Sequence, residues 1–277
     1  MSQLDFSWKS ADGLTFFGHE WRPDGTPRAV VVLVHGLGEH CGRYAHVAEV
    51  FNAAGLGMLA LDHRGHGKTE GTRGHGSYKA MSADIAHLLE EAANRYPGLP
   101  CFLYGHSLGG ALVLYHTLTR RPTLAGVIAT APALIPANPP SGATMLVAKI
   151  ASVVAPGMQI DNNLDRTGLA RDPEVEKKYS TDPLVHGKIS ARLGMDLISN
   201  GAWMMAHAAE FPLPLLLLQG SADRLVNPAG AAAFAAAAPQ DKLVYKTYEG
   251  YYHELHNEPE KVEVLADMLD WINEQLG

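Results

Sequence analysis

The chain has 277 residues, 47% of them hydrophobic and 18% charged, with a formal net charge of −7. This is an ordinary globular composition, long enough for one or two domains, and it excludes a disordered chain. The acidic balance argues against nucleic acid as the main partner, because polyanion binders are usually basic.

In chain order, Asp12 and Gly13 mark a hairpin turn before a strand at Thr15–Trp21. The β-branched run Ala29–His35 reads as a strand buried on both faces. A helix over Tyr44–Ala54 and a strand over Gly57–Asp62 follow. Next come an amphipathic helix over Tyr78–Tyr96, with Ile85, Leu88 and Leu89 on one side, and a strand over Cys101–His106. A helix over Leu108–Thr119 and a strand over Ala125–Ala131 complete this half. Such alternation predicts an α/β fold with a mostly parallel, doubly wound sheet.

The rhythm breaks between Leu134 and Phe211, where no buried parallel strand is evident. Asp172-Pro173-Glu174 reads as an N-cap followed by proline at the first helical position. Gly142–Ala155 is apolar around most of its circumference, with Lys149 its single charge. It is too short to span a bilayer, and is either buried or seated at an interface. Alternation resumes with a strand at Pro214–Gly220, an Ala-rich helix from Pro228 and a strand at Lys242–Tyr248. The last helix, Glu260–Leu276, is expected to bury Val262, Leu265, Leu269 and Ile272. The insertion is expected to be a lid over one sheet edge.

Cys41 and Cys101 make neither a disulfide framework nor a zinc site, and no histidine pair has metal-type spacing. Met1–Ser10 lacks the basic and apolar regions of a signal peptide, and no apolar run approaches the ~20 residues of a membrane span. A soluble cytoplasmic protein is expected, with no metal and no cofactor.

The sharpest feature is Gly105-His106-Ser107-Leu108-Gly109, a G-x-S-x-G between a predicted strand and a predicted helix. The glycines permit a tight turn that presents the serine hydroxyl, and the helix start favours developing negative charge. Serine needs a base, and the base an orienting acid, in the chain order Ser, Asp or Glu, His. Asp223 lies just beyond a strand at the sheet edge that presents Ser107, and His253 follows the next strand. Asp182 and Asp196 lie in the insertion and Asp241 at the opposite edge, so each is less suited. His256, three residues beyond His253, is the rival base, and His253 is preferred because it comes sooner after the strand. The oxyanion donors are expected to be the N–H of Leu108 and that of Leu37, in the loop His35-Gly36-Leu37-Gly38-Glu39-His40. Asp62-His63-Arg64-Gly65-His66-Gly67 reads as a structural loop with hydrogen-bonded imidazoles.

Together these residues resemble the monoglyceride lipase family of α/β-hydrolases over nearly the whole chain. His35–His40 with Gly42-Arg43-Tyr44, the Asp62–Gly67 loop, the elbow Gly105–Gly110, Leu218–Arg224, Tyr248–His253 and Tyr179–Leu184 all look like family segments. The resemblance implies an α/β-hydrolase core over residues 1–133 and 212–277, with a helical cap, 134–211, inserted after the sixth strand. It also implies cleavage of monoacylglycerols to fatty acid and glycerol without a cofactor, and an apolar acyl tunnel under the cap. Glu39, Arg43, Tyr179 and His256 match positions that contact the glycerol head group. Animal members carry cysteines in the cap near the place of His186; this chain has none there. A lysophospholipase or broad carboxylesterase would use the same catalytic set, and a non-catalytic ligand-binding protein is a more distant alternative. The expected partners are a lipid ester substrate and, through the cap, a membrane surface.

Overall fold

A computed structural model of the chain describes residues 2–138 and 141–277. The first half carries β1 (Ser2–Lys9), β2 (Thr15–Arg22), β3 (Ala29–Val34), α1 (Ala45–Ala53), β4 (Leu56–Leu61), α2 (Tyr78–Arg95), β5 (Cys101–His106), α3 (Leu108–Arg120) and β6 (Gly126–Thr130). The second half carries α4 (Gly142–Val154), β7 (Gln159–Asp161), α5 (Pro173–Thr181), β8 (Lys188–Ser190), α6 (Ala191–Ala206), β9 (Leu215–Gly220), α7 (Pro228–Ala237), β10 (Leu243–Tyr248) and α8 (Lys261–Leu276).

Eight strands form one sheet in the order β1-β2-β4-β3-β5-β6-β9-β10. β1, β2 and β4 pair antiparallel, and every pair from β4 onward is parallel. All six residues of β3 are buried because the sheet has a core on each face. Val30, Val32 and Val34 point to the side of α2 and α3, while Ala29, Val31 and Leu33 point to the side of α1 and α8. The period of two along a strand divides one apolar run between two cores.

Two differences from the sequence expectations have simple causes. β1 is an edge strand, largely exposed, so it shows no buried alternation that would mark it as a strand. In α8 the buried stripe is Val264, Leu265, Met268, Trp271 and Ile272; Leu269 is only half-buried and Val262 is 76% exposed. Val262 stands two residues before Val264, about 200° round a helix, and therefore faces water.

Among the described residues between β6 and β9, no strand joins the main sheet. β7 and β8 form a separate antiparallel pair, and α5 begins with the Asp172 carboxylate accepting the Glu174 N–H at 3.0 Å. α4 packs on α6 with Ala151 buried, and turns Leu146, Val147, Ile150, Val153 and Val154 outward. Among the described residues no helix is long and apolar enough to cross a membrane.

Candidate active site

The turn from β5 into α3 sets Ser107 at φ 55°, ψ −117°. A non-glycine residue rarely adopts positive φ, and such strain persists only where its surroundings enforce it. Here the flanking glycines allow the enforcement. A Cβ on Gly109 would lie 1.9 Å from the Val34 carbonyl oxygen, and one on Gly105 would lie 2.3 Å from that of Gly109. Only bare backbone lets the helix start press so closely against β3 and β5.

His253 stands on the loop after β10, and its Nε2 lies 2.8 Å from the Ser107 hydroxyl. On the other side of the ring, Nδ1 lies 2.8 Å from Oδ2 of Asp223, on the loop after β9. Because Asp223 only accepts, Nδ1 carries the proton and Nε2 is free to accept from the serine. Asp223 Oδ1 accepts the N–H groups of Leu225 at 2.8 Å and Val226 at 3.0 Å. Burial of His253 opposes its charged form, but the charge and hydrogen bond of Asp223, with Glu254 and Glu39 beyond, outweigh it and raise the imidazole above its ordinary range. Burial pushes the Asp223 carboxyl up; His253 and the two backbone donors outweigh that and hold it below the usual value.

The loop after β3 runs against the nucleophile, since a Cβ on Gly36 would lie 3.2 Å from that of Ser107. Leu37 and Leu108 both line the cavity above the serine, and Leu108 opens α3, where helix geometry leaves the N–H without an intrahelical partner. Glu39 braces this loop: Oε1 accepts the Gly36 N–H at 2.6 Å and the Tyr44 hydroxyl at 2.7 Å. The cavity measures about 370 Å³. Its apolar wall is shared between the sheet edge, with Leu108 and Val226, and the segment between β6 and β9, with Ile160, Ile189, Leu197 and Ile198. A largely apolar cavity with a hydroxyl, an oriented imidazole and helix-start N–H groups can transfer an acyl group.

A family model described as serine aminopeptidase, S33, matches residues 25–260. A monoacylglycerol lipase of Mycolicibacterium smegmatis is 39% identical over 273 residues, 98% of this chain and 97% of that one. The chain belongs to the monoglyceride lipase family. A monoglyceride lipase of Rattus norvegicus is 35% identical over 97% of this chain and 90% of its own. The crystal structure of a Paleococcus ferrophilus monoacylglycerol lipase superposes with a TM-score of 0.87 at 36% identity, covering 94% of this chain and 99% of that one.

Of the four head-group positions that the monoglyceride lipase family suggests, Glu39 and Tyr179 reach the cavity and two do not. Arg43 is held behind them. Its guanidinium donates to Glu39 at 2.5 Å and to both oxygens of Glu254 at 2.7 and 2.8 Å, and lies 4.8 Å over the Tyr179 ring. His256 is also off the cavity wall. It sits fully buried in the 3₁₀ turn Leu255–Asn257, stacked on Tyr44 at 4.6 Å. The ring of His106 neighbours both histidines, 4.8 Å from that of His253 and 4.9 Å from that of His256. Burial and the neighbouring His106 hold His256 well below the ordinary imidazole range.

Sequence reasoning passed over Glu254. It is fully buried and held well below the usual carboxylate range: burial opposes its charge, but the charge and hydrogen bonds of Arg43 prevail. A lone acidic residue in Tyr251-Tyr252-His253-Glu254-Leu255, in a chain with Arg43 unassigned to a partner, was the available signal. The Asp62–Gly67 loop is held by its own polar groups. Asp62 accepts the N–H groups of Cys41 and Lys68, both at 2.8 Å, and His63 exchanges two bonds with His35 at 3.0 and 2.9 Å.

Proposed function

We propose that the protein is a serine esterase that cleaves monoacylglycerols to fatty acid and glycerol, with Ser107, His253 and Asp223 as its triad. The observation that carries this is the Ser107–His253–Asp223 relay, 2.8 Å at each step, at the floor of an apolar cavity. The relatives named monoacylglycerol and monoglyceride lipase supply the substrate class.

In this reading Ser107 Oγ attacks the ester carbonyl while His253 Nε2 takes its proton, and the N–H groups of Leu108 and Leu37 hold the oxyanion. Asp223 stabilises the imidazolium. His253 then delivers the proton to the departing glycerol oxygen, leaving the acyl chain on Ser107. Water attacks the acyl-enzyme, gives its proton to His253, and Ser107 Oγ recovers that proton as the acid leaves. Glu39 and Tyr179 face the glycerol hydroxyls, and Arg43 acts through Glu39 and Glu254.

Residues 134–211 form the cap in this reading, and α4 is its membrane-facing element. Its outward Leu146, Val147, Ile150, Val153 and Val154 would rest in the lipid interface, where a monoacylglycerol resides. The reading is tested by rates on a series of 1-monoacylglycerols, a lysophospholipid and a nitrophenyl ester, with a fluorophosphonate to label the nucleophile. Monoacylglycerols should give the highest kcat/KM and Ser107 should carry the label. Faster cleavage of the lysophospholipid would transfer the protein to that substrate class, and label on another residue would overturn the triad.

A further inference from the structure

β9 is a run of four leucines, Leu215 to Leu218, followed by Gln219 and Gly220, all buried. Leu215 and Leu217 pack into the core on one face of the sheet. By strand alternation Gln219 shares that face, where another apolar side chain would pack without a polar group to satisfy. Its Nε2 instead lies 3.0 Å from Asp223 Oδ2 and 3.2 Å from the Gly220 carbonyl oxygen. Both partners are acceptors, so turning the amide over would set oxygen against oxygen at both contacts. The orientation is thus fixed by chemistry. It leaves Gln219 Oε1 buried and without a hydrogen-bond partner among the described residues, an arrangement that costs stability.

We propose that Gln219 is a positioning residue for Asp223, holding Oδ2 toward His253 with a donor that does not change its charge during the reaction. This rests on reading Ser107, His253 and Asp223 as the working triad. Asp223 accepts four bonds, two at each oxygen. At Oδ2 the companion of Gln219 is His253 itself, which must alternate between neutral and charged. Without the amide, only the titrating ring anchors that oxygen.

The other groups around the ring are independent of Gln219. They are Glu254 on the same loop with its partner Arg43, Glu39 from the loop after β3, and the His106 ring at the end of β5. A change at Gln219 therefore reaches His253 through Asp223.

The test uses Gln219→Met and Gln219→Glu, followed on a short-chain nitrophenyl ester across pH, with Tm measured alongside. Methionine keeps the shape and removes both the donor and the orphan carbonyl. We expect kcat to fall about three- to thirtyfold with KM unchanged and Tm equal or higher. Loss of one donor leaves more of the Asp223 charge facing His253, so the acid limb of kcat/KM should move up by roughly half a pH unit. Glutamate sets a second carboxylate against Asp223 Oδ2 in place of the donor, so its acid limb should move up further than that of the methionine variant. A Met variant with wild-type kcat and an unmoved limb overturns the proposal. So does a lower Tm with an unmoved limb, or failure of both variants to fold, since either makes Gln219 a packing residue. Full activity of Asp223→Asn is a different failure, that of the triad itself.

Discussion

Ser107, Asp223 and His256 are three buried or half-buried side chains whose substitutions should differ in kind. Ser107→Ala should leave the fold intact and reduce turnover on the order of 10⁶-fold, measured with any ester substrate. Asp223→Asn should cost on the order of 10⁴-fold and also move the acid limb of kcat/KM. The sign follows from His253. As a base it works when neutral, and because Asp223 raises it, the wild-type limb lies above the ordinary imidazole value of about 6.5. Removing the carboxylate charge moves the limb down; a limb that stays put would detach Asp223 from His253. His256→Ala should act differently. Its ring is packed between Tyr44 and His106, so truncation should cost roughly 2–5 kcal/mol of stability and slow a monoacylglycerol and a nitrophenyl ester alike. A selective loss on the monoacylglycerol, with unchanged Tm, would return His256 to the head-group site. The sequence places His253 and His256 on one loop and prefers His253 as the base only because it comes sooner after the strand. In the structure contacts from distant elements tell them apart: His253 reaches Ser107, whereas His256 stacks on Tyr44.

At the scale of elements, legibility followed burial. β3, β5 and β9 are runs buried on both faces, and their residues announce strands without knowledge of their neighbours. The elbow was equally plain, because glycine at 105 and 109 is demanded by backbone contacts that any chain with this turn must make. β1 and the β7–β8 pair are exposed or only three residues long, so their pairing partners define them more than their own composition does. For α4 the sequence left open burial or an interface, and the structure turns its large apolar side chains outward, with Val147 65% and Val153 76% exposed. A face this apolar is expensive in water and suited to the headgroup boundary of a bilayer. The protein should therefore co-sediment with liposomes, and Val147→Ser with Ile150→Ser should weaken that binding several-fold while sparing a water-soluble nitrophenyl ester. Wild-type protein left in the supernatant would reject the membrane role of α4.

For the whole molecule, the histidines that furnish the core also set its acid tolerance. His35, His63, His66, His106 and His256 are each fully buried or nearly so. Burial pushes all five below the ordinary imidazole range, His63 to about 4 and His106 to about 3. The folded state therefore keeps them neutral where the unfolded chain would protonate them. Stability from such groups is complete above the unfolded value of about 6.5 and is lost as the pH falls from there toward the folded values. Each contributes a loss on the order of 1 kcal/mol per pH unit in that window. His253 has the opposite sign: its raised value adds stability below 6.5, which fades as the pH rises through it. Those five, with His46, His116 and His186 shifted the same way, outnumber the one raised imidazole and leave a net loss on acidification. Paired carboxylates such as Glu254 add to the loss only at lower pH, below their unfolded range. Urea unfolding at pH 7.5 and 5.5, at one ionic strength, should show stability falling on the order of 4 kcal/mol, a large share of the 5–15 kcal/mol typical of a folded domain. His63→Asn or His106→Asn, by removing one titrating group, should flatten that pH dependence even if it lowers stability at pH 7.5. Equal urea midpoints at the two pH values would mean that these rings are charged in the fold or reached by water, and the account of the core as a reservoir of neutral imidazoles would fail.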